Sequence, residues 1–204
     1  MTSPLPRLVV VTDWSPGEAR VFSALEAVAG VGAIAVQLRY PEANTRRLLE
    51  VGRRVAELCG RSGMPLFVNG RLDLALLLDA HLHLPANGPD VADVRPHLPA
   101  DRWISVAVHD EAEADRARGA DLALVSPVFG AGSKPGDMRA PLGPDGFERL
   151  ARRLSCPAYA LGGVTEATID RLPRPWCRGV AVVSAVFAAP DPAAAARALL
   201  AGTG

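Results

Sequence analysis

Short apolar runs alternate along the chain with longer stretches in which apolar residues return every three or four positions. The runs are Leu8 to Thr12, Ala33 to Leu38, Pro65 to Val68, Ala80 to Leu84, Trp103 to Val108, Leu122 to Val125, Ala158 to Leu161 and Gly179 to Val183. Their length and continuity predict strands, and the 3.6-residue stretches between them, at about 18–30, 43–61, 70–78, 90–97, 110–118, 144–154, 165–171 and 190–201, predict helices. Asp191 stands near the start of the last as a cap. Strands apolar on both faces are those of a parallel sheet covered by helices. Eight such units predict a closed α/β barrel of the TIM (β/α)8 type, one domain over residues 1–204. A doubly wound open sheet is the rival, but no glycine fingerprint follows the first strand.

Composition narrows the function classes. With 204 residues, 49% of them hydrophobic, the chain can bury a full core. A formal net charge of zero argues against nucleic acid and anionic membrane as partners. No apolar stretch reaches bilayer length and the first residues show no signal-peptide pattern, so a cytoplasmic protein is expected. Cys59, Cys156 and Cys177 are widely spaced without a CxxC pair and read as buried thiols.

In a barrel of this kind chemistry gathers where strands end and the following loops begin. Those ends carry Thr12 and Asp13, Gln37 and Arg39, Asn69, His83, His109, Ser126, Gly162 and Gly163, and Ser184, nearly all polar or glycine. Each alone could simply satisfy backbone groups at a strand terminus; together they mark one rim. Gly162-Gly163 and Val183-Ser184 close the last two strands, where backbone amides and a helix N-terminus can hold phosphate. Lys134 is the only lysine, set in the glycine-rich segment Ser126 to Gly136, and all other basic residues are arginine. A compact ammonium retained against that bias suggests an anion. His81 and His83 alternate on one strand, but no third ligand is apparent, and neither metal nor cofactor is expected.

The segments Gln37-Leu-Arg39, Val68-Asn69, His83-Leu84, Val106-Ala-Val-His109, Ser126-Pro-Val-Phe129 with Ser133-Lys134, Ala160-Leu-Gly-Gly163 and Gly179 to Ser184 resemble, in order, those of thiamine phosphate synthases and TenI-type proteins. The resemblance covers nearly the whole chain. It implies a TIM barrel that binds a thiazole phosphate, the phosphate lying near Gly162, Gly163, Val183 and Ser184, with a homodimer suggested by analogy.

Departures from the synthase pattern direct the sequence reading to one branch. Synthases carry Gln-x-Arg-x-Lys after strand two, where this chain has Pro41 in place of the lysine. They also carry acidic residues that hold magnesium after strands three and four, where this chain has Gly70 and, less securely aligned, Gly88. Asp73, Asp79 and Asp90 are the nearest substitutes. The resemblance therefore implies the TenI branch, a thiazole tautomerase that shifts a proton without a metal, using His109 as acid and base. Gln37, Arg39, Asn69, His83, Ser126, Ser133 and Lys134 would bind the rest of the substrate, a small phosphorylated heterocycle. Ala107 stands where serine is commoner, and His109 could merely serve the start of the helix at Asp110. The alternatives are a different phosphate-dependent isomerase or lyase, a non-catalytic binder of a thiazole or other small phosphate, and residual synthase activity. The segment Phe129 to Leu142 is left open as a closing lid.

Overall fold

The computed structural model describes residues 4–130 and 139–203. Eight parallel strands close into a barrel in chain order: β1 (Leu8–Val11), β2 (Ile34–Leu38), β3 (Leu66–Asn69), β4 (His81–Leu84), β5 (Ile104–Val108), β6 (Leu122–Val125), β7 (Ala158–Leu161) and β8 (Cys177–Val182). β1 pairs with both β2 and β8, which closes the ring. The chain is thus a single-domain TIM-like barrel, as the apolar runs predict.

Each strand presents one row of side chains to the barrel interior and the other to the helices. The interior is packed by Val9, Val11, Ala35, Phe67, Leu122, Leu124, Tyr159 and Ala181. The larger core lies between strands and helices, where Leu8, Val36, Val68, Leu82 and Val180 meet residues such as Val21, Leu25, Val51, Phe147 and Leu199. At the barrel floor His81 stacks on Trp103, with ring centroids 4.4 Å apart, and leans on Phe67 at 5.0 Å. The Trp103 backbone N–H donates to His81 Nδ1 at 2.9 Å. The Tyr159 hydroxyl donates to the Pro6 carbonyl and closes the same end.

The helices are α1 (Glu18–Val28), α2 (Thr45–Ser62), α3 (Leu72–Leu77), α4 (Val91–Val94), α5 (Glu111–Arg116), α6 (Gly143–Arg153), α7 (Glu166–Ile169), α8 (Ser184–Phe187) and α9 (Pro192–Gly202). Side chains fix several starts: Asn44 accepts from the Arg47 N–H, Asp110 from that of Glu113, and Asp191 from that of Ala194. Two differences from the periodicity are local. α4 is one turn long because Pro96 follows and the chain tightens into a 3-10 turn over Arg95–His97. α8 is an additional single turn after β8, too short to show a helical period. Among the described residues no helix is long and apolar enough to cross a membrane.

Candidate active site

The interior rows end at the carboxyl rim in residues two positions beyond the buried core. Gln37 follows Ala35, Asn69 follows Phe67, His83 follows His81, and Ser105 lies on the row that passes Trp103. They form a connected polar arc across β2 to β5. Gln37 Nε2 donates to Asn69 Oδ1 at 3.2 Å, Asn69 pairs in register with His83, and His83 Nδ1 lies 2.7 Å from Ser105 Oγ. Gln37, His83 and Ser105 are all at least 95% buried. Polar groups so deeply enclosed require partners, and each orients the next. The other side of the interior is apolar: Val11, Leu124, Leu161 and Val183 line it. Ser126, buried, ends β6 on the same rim.

Arg39 lies at the rim just past β2, and its backbone is clamped by the end of β1. Thr12 Oγ1 accepts the Arg39 N–H at 2.9 Å and donates to the Arg39 carbonyl at 3.0 Å. The Trp14 indole N–H reaches both the same carbonyl, at 3.0 Å, and Thr12 Oγ1, at 3.1 Å. Trp14 in turn stacks on Tyr40 at 4.8 Å. The Arg39 guanidinium has no hydrogen-bond or ion-pair partner among the described residues. Thr12 was visible in the sequence as a polar strand end, but its bracing of Arg39 was not; Trp14 and Ser105 carried no signal beyond their residue type.

The loops after β6 and β7 are zipped together. The Val128 N–H donates to the Leu161 carbonyl at 2.9 Å and the Phe129 N–H to the Gly162 carbonyl at 2.8 Å. Leu142 and Gly143 return to the carbonyls of Pro127 and Val128. Gly162 and Gly163 hold φ of 96° and 66°, and a Cβ on Gly163 would stand 2.3 Å from the Phe129 carbonyl oxygen. Only glycine allows both the left-handed turn and this approach. Beside them Val183 leads into α8, whose first N–H groups lack partners within the helix. The two glycines, Val183 and Ser184 thus border one recess of the rim. Ser133 and Lys134, and most of the segment read as a lid, lie outside the described residues.

His109 follows β5 and is held by the next helix. Both its backbone N–H and its Nδ1 lie 2.7 Å from Glu113 Oε2, leaving Nε2 to other contacts. The i,i+4 spacing of His109 and Glu113 is the signal in the sequence that pairs them. His81 is on the barrel floor rather than the rim; burial drives its pKa down to about 4, and Nδ1 is already an acceptor for Trp103. Burial likewise raises Cys59 to about 12 and Cys156 and Cys177 to about 11, so these thiols stay protonated.

The loops after β3 and β4 do not fit a protein-held magnesium ion. Gly70 takes a left-handed turn with φ 69° and donates its N–H to the His83 carbonyl at 2.8 Å. Gly88 is folded over Pro85, whose carbonyl accepts its N–H at 2.8 Å. Asp73 is gripped through both oxygens by Arg71, which holds its carboxyl below the usual range, and Asp79 pairs with Arg102. Among the described residues no three His, Cys, Asp or Glu side chains gather as a ligand set.

The class is a TIM-like barrel whose carboxyl rim carries a polar arc, Arg39 and a glycine-lined recess, the end at which such barrels gather their chemistry. The sequence profile of the thiamine monophosphate synthase family matches residues 8–186, and the chain belongs to that family. Thiamine-phosphate synthase of Chloroflexus aurantiacus is 40% identical over 197 residues, covering 95% of this chain and 90% of the relative. That of Roseiflexus castenholzii is 35% identical, covering 98% and 91%. Among solved structures, thiamine phosphate pyrophosphorylase from Pyrococcus furiosus superposes with a TM-score of 0.82 at 28% identity, covering 98% of this chain and 95% of that one. A 3-hexulose-6-phosphate synthase, at 20% identity and TM-score 0.64, shares the fold.

These relatives overturn the expectation of a TenI-type thiazole tautomerase, and with it the assignment as an isomerase with synthase activity disfavoured. That expectation rested on Gly70, Gly88, Pro41 and His109. Glycine at two loop positions and one lost lysine are local changes, whereas the likeness to named synthases runs through all eight strands and the rim.

Proposed function

We propose that the protein is a thiamine-phosphate synthase, a transferase. Identity of 40% to a protein of that name over 95% of this chain carries the reading. Thiamine phosphate is an aminopyrimidine joined through a methylene to the nitrogen of a thiazolium bearing a phosphorylated side chain. Making it from a pyrimidine-methyl pyrophosphate and a thiazole phosphate breaks the methylene C–O bond, forms the C–N bond and releases pyrophosphate. No net proton changes hands.

The rim offers what that reaction asks of a protein. The primary amides of Gln37 and Asn69, each both donor and acceptor, and the braced His83 match the alternating donors and acceptors of an aminopyrimidine edge. The apolar wall of Leu124, Leu161 and Val183 gives the ring a dry face and excludes water from an electron-poor methylene. Gly162, Gly163, Val183 and Ser184 receive the thiazole phosphate through backbone N–H groups, which places the thiazole nitrogen toward the arc. Arg39 supplies positive charge that a departing pyrophosphate requires, with Ser126 as a donor on the same rim, and Ser133 and Lys134, outside the described residues, are assigned to the same role by their chemistry. Holding the two reactants in line supplies much of the acceleration in a reaction that needs no proton transfer. His109 keeps no acid–base role in this chemistry. Its substitution by alanine leaves most turnover intact, whereas Gln37→Leu or Asn69→Leu lowers kcat/KM about 10- to 100-fold, as expected for losing hydrogen bonds to a polar ring. Steady-state rates of thiamine phosphate formation test this, and equal rates in the arc variants and the wild type would refute the assignment of the arc.

A further inference from the structure

The rim displays acidic residues, and most of them are occupied by their own neighbourhood. Asp13 accepts from the backbone N–H and hydroxyl of Ser15. Asp73 is clamped by Arg71, which also donates to Thr45 Oγ1 at 3.0 Å. Asp110 caps α5, and Glu113 is committed to His109. Asp90 stands exposed at the start of α4 and, among the described residues, belongs to no group of three His, Cys, Asp or Glu side chains. At Gly70 and Gly88 the chain has only backbone to offer, and both N–H groups are already donated, to the carbonyls of His83 and Pro85. Magnesium sheds its water reluctantly and is held by carboxylates or by substrate phosphates.

We propose that the β3 and β4 loops of this barrel provide no carboxylate ligand to a divalent cation, so that any such ion enters and leaves the site on the pyrophosphate alone. The inference rests on the synthase reading only for the identity of the anion; that Gly70 and Gly88 offer no carboxylate follows from the described loops. It also states what would restore such a site. Gly70 occupies a left-handed conformation that aspartate tolerates better than most residues, and a Cβ there meets nothing closer than Pro85 at 3.6 Å. At Gly88 a Cβ would press on the Pro85 carbonyl at 3.0 Å, which requires a small shift.

The test is a titration of Mn²⁺ into the full-length protein without pyrophosphate, with free ion read by electron paramagnetic resonance, run beside the synthase assay. The wild type is expected to leave the free-ion signal unchanged, and the Gly70→Asp/Gly88→Asp double variant to reduce it in proportion to protein. Inorganic pyrophosphate added to the wild type should then carry Mn²⁺ onto the protein. Stoichiometric Mn²⁺ binding by the wild type alone, abolished by Asp73→Asn or Asp90→Asn, would overturn the inference whatever the turnover. A double variant that folds and still binds no Mn²⁺ would also count against it, because glycine at these positions would not be what withholds the site. Wild type that binds no Mn²⁺ and makes no thiamine phosphate would leave the inference standing and remove the synthase reading.

Discussion

His81 shows how far burial alone can set a residue's behaviour. It sits between Phe67 and Trp103 with Nδ1 accepting a backbone N–H, and its pKa is lowered to about 4 chiefly by desolvation. The folded state refuses a proton that the unfolded chain takes up near pH 6.5, so stability is full above that pH and falls as pH drops toward 4. The loss is on the order of 2 kcal/mol, allowing for the ring's partial exposure. In His81→Asn, whose side-chain oxygen can stand in for Nδ1, chemical denaturation across this window should show a shallower loss; an unchanged slope would assign it to other groups. Gly163 is set by contact rather than charge. Gly163→Ala puts a methyl 2.3 Å from the Phe129 carbonyl oxygen at positive φ, and about 2 kcal/mol or more of destabilisation is expected by urea unfolding. Residue type and strand position made Gln37, Asn69 and His83 legible in the sequence. Ser105 was not, because a serine inside Ile104 to Val108 looks like an ordinary strand residue until the barrel brings His83 to 2.7 Å from it.

Elements were legible where burial imposes one pattern. Both faces of every strand are covered, so strands read as apolar runs and the predicted bounds lie within about two residues of the observed ones. β8 starts earlier, at Cys177, because its pairing with β7 shifts register at Ala158 and Tyr159. Gly179 lets that strand lie against Tyr159 and Arg7; a Cβ there would come 2.4 Å from the Arg7 carbonyl oxygen. α8 escaped because four residues hold barely one turn, and α4 was overdrawn because Pro96 converts its second half. α9 closes the helical layer by packing on α1, α7 and α8, and its start depends on Asp191, which accepts from Ala194 at 2.9 Å. Asp191→Ala should cost about 1 kcal/mol, seen as a lower denaturation midpoint with an unchanged slope. A loss below about 0.3 kcal/mol would mean that packing alone sets this end.

For the molecule as a whole, fold and chemistry were legible to different degrees. Eight units of one kind leave little choice but a closed barrel, and the rim follows from the direction of the strands. Which reaction runs on that rim depends on a few loop residues. Reading Gly70 and Gly88 as marks of a proton-shifting enzyme gave two positions more weight than they could bear against a likeness to named thiamine-phosphate synthases that covers 95% or more of the chain. The most direct test supplies the purified protein with the thiazole phosphate and the pyrimidine-methyl pyrophosphate, magnesium in excess, and quantifies thiamine phosphate and pyrophosphate together. Equal amounts of both products, formed at a rate proportional to protein, are predicted. A folded protein that binds the thiazole phosphate yet forms neither product at saturating substrates would contradict the account.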